Sequence, residues 1–236
     1  MDNEENEQEQ DYQVVYSKNV IEFATVAREY CVFAENAKKY SKADYLKVAS
    51  RLLPLLYMKG ALLPDTKAAS DEDLPEIVDY DTYEGVRRGI RILLSDHDGY
   101  LTTFKEDFRL SETPIFASIS EDMADIYQDI RNFCEQYHCG DDVVMNDAVA
   151  CVVDKFRNYW GQKTANALGA INAVLYSGDD LSDKDFAGDL DMEMGREEDD
   201  IENEEQSAND QTANDDAPYF LRQTGMRLVG GKNKGK

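Results

Sequence analysis

The chain has 236 residues and a formal net charge of −24, from 49 Asp and Glu against 25 Lys and Arg. So acidic a balance disfavours nucleic acid as a partner, because phosphates are repelled. No apolar run reaches the roughly 18 residues of a membrane-spanning helix, so no membrane partner is expected, and the acidic N-terminus reads as neither a secretory signal nor a transit peptide, which makes the expected location cytoplasmic.

Residues 1–11 are almost all Asp, Glu, Asn and Gln. They are expected to form a disordered acidic tail, since they hold too little apolar surface to offset chain entropy. Residues 12–177 are rich in Leu, Ile, Val and Tyr, enough for one sizeable core. Residues 178–217 read as a second disordered acidic segment, and 218–236 as a basic end carrying Arg222, Arg227, Lys232, Lys234 and Lys236.

Within 12–177 the spacing predicts helices almost throughout. Val20, Phe23, Ala24, Ala27, Cys31 and Ala34 mark a first helix over Tyr12–Tyr40. Ser41 with Asp44 starts a second helix, whose wide apolar stripe from Leu46 to Leu56 predicts a central place in the bundle; Pro54 should bend it. Residues 64–80 are polar and read as a loop. A third helix spans Thr82–Ser95, with Tyr83, Val86, Ile90 and Leu93 inward, and Tyr100–Phe104 reads as a further helical turn. Leu110–Phe116 should be extended, because Thr113 precedes Pro114.

The strongest periodicity follows. Ile119, Met123, Ile126, Ile130, Phe133 and Tyr137 share one stripe, behind a capping box at Ser118 and Glu121. The opposite face carries Glu121, Asp122, Asp125, Gln128, Asp129, Asn132 and Gln136, and is expected to face water. Met145, Val149, Val152, Phe156 and Tyr159 form the next stripe, with Asp141 and Asp142 at its start. Gly161 predicts a kink or break near Trp160–Gln162, before a last segment over Lys163–Tyr176. The fold class is therefore all-α, a single bundle of six or seven helices between disordered acidic tails, with no convincing strand.

Few residues suggest chemistry. Arg131 and His138 lie seven apart on one helix face, where Arg could stabilise a phosphorane-like charge and His could move a proton. The spacing resembles the R-x(4–6)-H motif of helical ribonucleases of the higher-eukaryote and prokaryote nucleotide-binding class, which makes a ribonuclease the alternative reading. Asp96-His97-Asp98 reads as a polar loop. Glu135-x-x-His138 lacks the second Glu-x-x-His of a di-iron site, and no metal is expected. Phosphate-loop, dinucleotide and hydrolase signatures do not occur, so no cofactor and no catalytic residue is assigned. The four cysteines include no C-x-x-C and read as free thiols. Tyr127, Tyr159 and Trp160, with Phe116 and Pro114, are the candidate partner-binding residues, polar-tipped aromatics beside an extended segment.

FATVAREYC, LLPLLYMKGALLP, TPIFASISEDMADIYQDIRNF, MNDAV and YWGQK followed by NAL resemble a bacterial family, domain of unknown function 5063, over Val14–Tyr176. The resemblance implies an all-helical, cytoplasmic bacterial domain and transfers no catalytic residue. The expected function is a non-enzymatic interaction module for an unidentified protein partner, its oligomeric state left open and a homodimer included.

Overall fold

Val20, Phe23, Ala27, Cys31 and Ala34 form the buried face of helix α1, Lys18–Glu35, in a computed structural model that describes residues 14–102 and 115–182. A 3₁₀ turn, Ala37–Lys39, leads to Ser41. The Ser41 hydroxyl accepts the Asp44 N–H at 3.2 Å and starts helix α2, Lys42–Ala61, which runs on through Pro54. Residues 64–79 form no helix or strand. The Asp79 carboxylate accepts the Thr82 N–H at 2.8 Å and caps helix α3, Tyr80–Leu94.

A short antiparallel sheet comes next, β1 Gly99–Thr102 and β2 Ile115–Ser118, with Tyr100 opposite Ala117 and Leu101 opposite Phe116. This replaces the helical turn expected at Tyr100. Four residues are too few for an alternating pattern to declare itself, and the pairing partner lies well along the chain. Ser118 then caps helix α4, Ile119–His138, by accepting the Glu121 N–H at 3.3 Å. Asp141 accepts the Val143 and Val144 N–H groups and starts helix α5, Asp142–Lys155. A π turn, Phe156–Trp160, joins it without interruption to helix α6, Gly161–Leu175. With that continuous run taken as one, the described residues hold five long helices, slightly fewer than expected.

The helix at the centre is α4, which packs against α1, α3, α5 and α6. Helix α2 is not central, because Leu55, Tyr57 and Met58 at its outer side are exposed. Its width of apolar surface reflects spare hydrophobics on the solvent side. The core joins Phe23 of α1, Phe133 of α4 and Trp160, with ring centroids 5.0 Å apart for Phe23–Phe133 and 6.1 Å for Phe23–Trp160. The tail at 1–11, the acidic segment beyond 182 and the basic end at 218–236 lie outside the described residues.

Among the described residues, one non-glycine position has a positive φ. Ser95, between α3 and the turn Ser95–His97, has φ 50° and ψ −124°, a region that favours glycine. Ser95→Gly is expected to raise stability by about 1 kcal/mol, the relieved strain exceeding the added chain entropy. A higher urea midpoint at unchanged slope is the expected reading; a lower midpoint would refute it.

Candidate functional site

Asp122, Asp125, Asp129, Asn132 and Gln136 follow steps of three and four, the same rhythm as the apolar stripe beside them. They were expected to face water, yet all five are buried. They form a second, polar inner face on α4. Burying carboxylates is costly unless counter-charges and hydrogen bonds meet them. Both are supplied by the α5–π–α6 run. Lys163 Nζ lies 3.0 Å from Asp122 Oδ1 and 2.7 Å from Asp125 Oδ2, and Lys155 Nζ lies 2.7 Å from Asp129 Oδ1.

Tyrosines complete the shell. The Tyr100 hydroxyl donates to Asp122 Oδ2, and the Tyr83 hydroxyl donates to Asp125 Oδ1 at 2.8 Å. Lys163 also sits 5.6 Å from the Tyr159 ring centre, within cation–π range. Burial pushes the Asp122 and Asp129 carboxyls above the usual carboxylate range, opposed by hydrogen bonds and by the lysines. The Tyr83 and Tyr100 phenols are driven well up by burial and by their carboxylate acceptors.

The π turn sets the phase of this pairing. Lys155 and Lys163 are eight residues apart, whereas two α-helical turns take about 7.2. The extra residue of one π turn brings both lysines to the same side, facing α4. Gly161 makes that turn feasible. Its N–H donates to the Phe156 carbonyl, five residues back, and a Cβ there would press into that oxygen. The expected kink is thus an insertion within a continuous helix.

The lower half of the polar face holds the 64–79 segment in place. Asn132 Oδ1 accepts the Ile77 and Val78 N–H groups, each at 2.9 Å, and Gln136 Nε2 donates to the Pro75 carbonyl at 3.0 Å. From α5, Asp147 accepts the Ala69 and Ser70 N–H groups, and Asn146 donates to the Lys67 carbonyl at 2.8 Å. These side chains satisfy backbone groups that no strand or helix serves.

The residues singled out by sequence part company. Trp160 is fully buried, its indole N–H donating to the Val152 carbonyl at 3.1 Å, so it cannot line a surface groove. Tyr127 is buried as well, its hydroxyl donating to Glu35 at 2.9 Å. Both have a polar tip, but an acceptor of the chain itself meets it, the buried Val152 carbonyl for Trp160 and the exposed Glu35 carboxylate for Tyr127. Tyr159 and Phe116 stay at the surface, and Pro114 lies outside the described residues. Arg131 is held by Glu135 at 2.8 Å and Glu35 at 3.4 Å, while His138 is exposed at the end of α4. Asp98 uses both carboxylate oxygens on Ser120, at 2.7 Å each, as a clamp on the start of α4. Among the described residues no group of three or more His, Cys, Asp or Glu is arranged to hold a metal ion. The described cysteines are all free; Cys31 is buried, Cys134 and Cys151 are partly buried, and Cys139 is exposed.

A family model described as domain of unknown function DUF5063 matches residues 14–177. The chain belongs to this family. The crystal structure of protein BF1032 from Bacteroides fragilis is similar to this DUF5063 chain at 36% identity, with a TM-score of 0.63, over 70% of this chain and 98% of that one. No curated protein matches it. The stretches that carry the family resemblance meet in space. Gly60 of LLYMKGALLP lies under the Trp160 ring of YWGQK, so close that a Cβ would collide with the indole. Asn146 and Asp147 of MNDAV hold the 64–79 segment, and Lys163 of YWGQK pairs with Asp122 and Asp125 of EDMADIYQDI. In this DUF5063 domain, packing, side-chain hydrogen bonds to the loop backbone and buried-charge pairing account for the three in turn.

Proposed function

We propose that the domain is a non-enzymatic protein-interaction module whose contact face is the outer side of the β1–β2 hairpin. The supporting observation is the pair Leu101 and Phe116, directly opposite in the strand register and 68% and 71% exposed. On the inner side, Thr102 and Ala117 are buried. Cross-strand neighbours on one face stand close enough to act as a unit, and large apolar side chains so placed mark contact sites. The Phe116 ring lies over Gly99, where a Cβ would collide with it. Exposed Asp96 and Glu121 flank the strands, and the chain as a whole is acidic. The partner suited to this face is a protein with an apolar contact centre and a basic rim.

The test is capture from native lysate by the full chain, beside the double variant Leu101→Ser/Phe116→Ser. Both side chains are mostly in water, so the melting temperature should hardly move. A stoichiometric protein held by the parent and lost by the variant is the expected result. The same protein recovered equally by both would refute the assignment of this face.

A further inference from the structure

Cys31 on α1 and Cys134 on α4 meet where these two helices pack. Other contacts mark the same seam. Glu35, one turn after Cys31, accepts from the Tyr127 hydroxyl at 2.9 Å and pairs with Arg131 at 3.4 Å, and the Phe23 and Phe133 ring centres stand 5.0 Å apart. Tyr127, Arg131 and Cys134 follow steps of four and three, so they form one row of α4. Cys31 lies against that row. Its thiol is hydrogen-bonded to Cys134, with Arg131 and Tyr127 as electrostatic neighbours.

The two thiols differ in access. Cys31 is 1% exposed, whereas Cys134 is partly exposed. The hydrogen bond to Cys134 and burial both push the Cys31 thiol up, so Cys31 stays protonated until its neighbour has reacted. Thiol–disulfide exchange needs one sulfur that an oxidant can reach and a second poised beside it. This pair supplies one of each.

We propose that Cys134 and Cys31 form a reversible disulfide that ties α1 to the central helix, with a small-molecule disulfide as the oxidant. The Cys134 thiolate attacks one sulfur of that disulfide, its S–S bond breaks, and one thiolate leaves with the bonding pair. Cys31 then attacks Cys134 Sγ and expels the second thiolate. The two protons that Cys134 and Cys31 give up end on the two expelled thiolates, so two protein thiols are oxidised and one small disulfide is reduced. The link closes a loop of about 100 residues and removes much of the freedom of the unfolded chain. It is independent of the contact face on the hairpin.

The test incubates the full chain with oxidised glutathione at neutral pH, blocks the remaining thiols, and identifies the unreduced peptides by mass spectrometry. A Cys31–Cys134 peptide pair should form about tenfold faster in the folded chain than in urea, because folding already holds the two sulfurs together. The linked chain should melt about 10 °C above the reduced one, and a thiol reductant should reverse both changes. Cys31→Ala should leave Cys134 as a lasting glutathione adduct, and Cys134→Ser should leave Cys31 unmodified. Should Cys31→Ala fail to fold, Cys134→Ser at the partly exposed position decides alone. Modification of the exposed Cys139 only, a link formed no faster in the folded chain than in urea, a linked chain that melts no higher, or a modified Cys31 in Cys134→Ser would each overturn the proposal.

Discussion

Trp160→Ala is expected to lower stability by about 3–5 kcal/mol, the range for deleting a fully buried large aromatic side chain. Domains of this size are stable by only about 5–15 kcal/mol, so about a fifth or more of the total would go. The cost has several sources. The indole stacks on Phe23, packs 4.7 Å from the Phe156 ring centre, and covers the backbone at Gly60. Its N–H satisfies the Val152 carbonyl just before the π turn, where the backbone pattern changes. Helices α1, α2 and α6 would lose a shared contact at once. Urea unfolding should show the fall in midpoint, with Trp160→Phe losing less. A loss below about 1 kcal/mol for Trp160→Ala would mean that the ring is not in the core. Any weakening of partner capture by this variant would then follow from loss of fold, whereas Phe116 and Leu101 can be changed without that penalty.

Trp160 also shows what the sequence could and could not disclose. The apolar stripe from Ile119 to Tyr137 was legible, because burial against an apolar neighbour leaves a periodic signature. The caps at Ser41 and Ser118, and the helix start at Asp141, were legible for a similar reason, since each acts on its own helix. The polar stripe at Asp122, Asp125 and Asp129 was not. A carboxylate facing water and one facing a lysine on another helix look alike until that helix is placed. The cue lay in the rhythm, as five polar residues kept the three–four spacing of a packed face. Gly161 in a helical pattern predicts a kink or break, yet here it permits the close approach of the Phe156 carbonyl that keeps the helix whole. For the aromatics, a polar tip suits a surface groove and an internal hydrogen bond equally. The partner decided it: Glu35 for Tyr127 and the Val152 carbonyl for Trp160, against open solvent at Phe116.

Lys163→Met should cost about 3–5 kcal/mol at neutral pH, the usual result of breaking a buried ion pair from one side. Methionine keeps most of the stem volume, so the loss isolates the charge. Lys163 is 16% exposed and serves two carboxylates, which would be left facing each other in a poorly hydrated site. The loss must also depend on pH, with a definite sign. Burial already raises the Asp122 carboxyl above its unfolded value of about 4, and Lys163 is among the groups that hold it down. Without the lysine it rises further. A carboxyl raised in the folded state favours folding fully below its unfolded value, and that advantage is lost as pH climbs through the folded value. The deficit of Lys163→Met relative to the parent should therefore be largest near neutrality and shrink as pH falls toward about 4. Unfolding free energies of both proteins across that window test this directly. A deficit that stays constant with pH would assign the loss to packing of the lysine stem. Adding Asp122→Asn to Lys163→Met should recover part of the stability, because the amide needs no counter-charge and can still accept from Tyr100. A double variant that shows no recovery would remove the charge pairing as the reason these two helices share a polar seam.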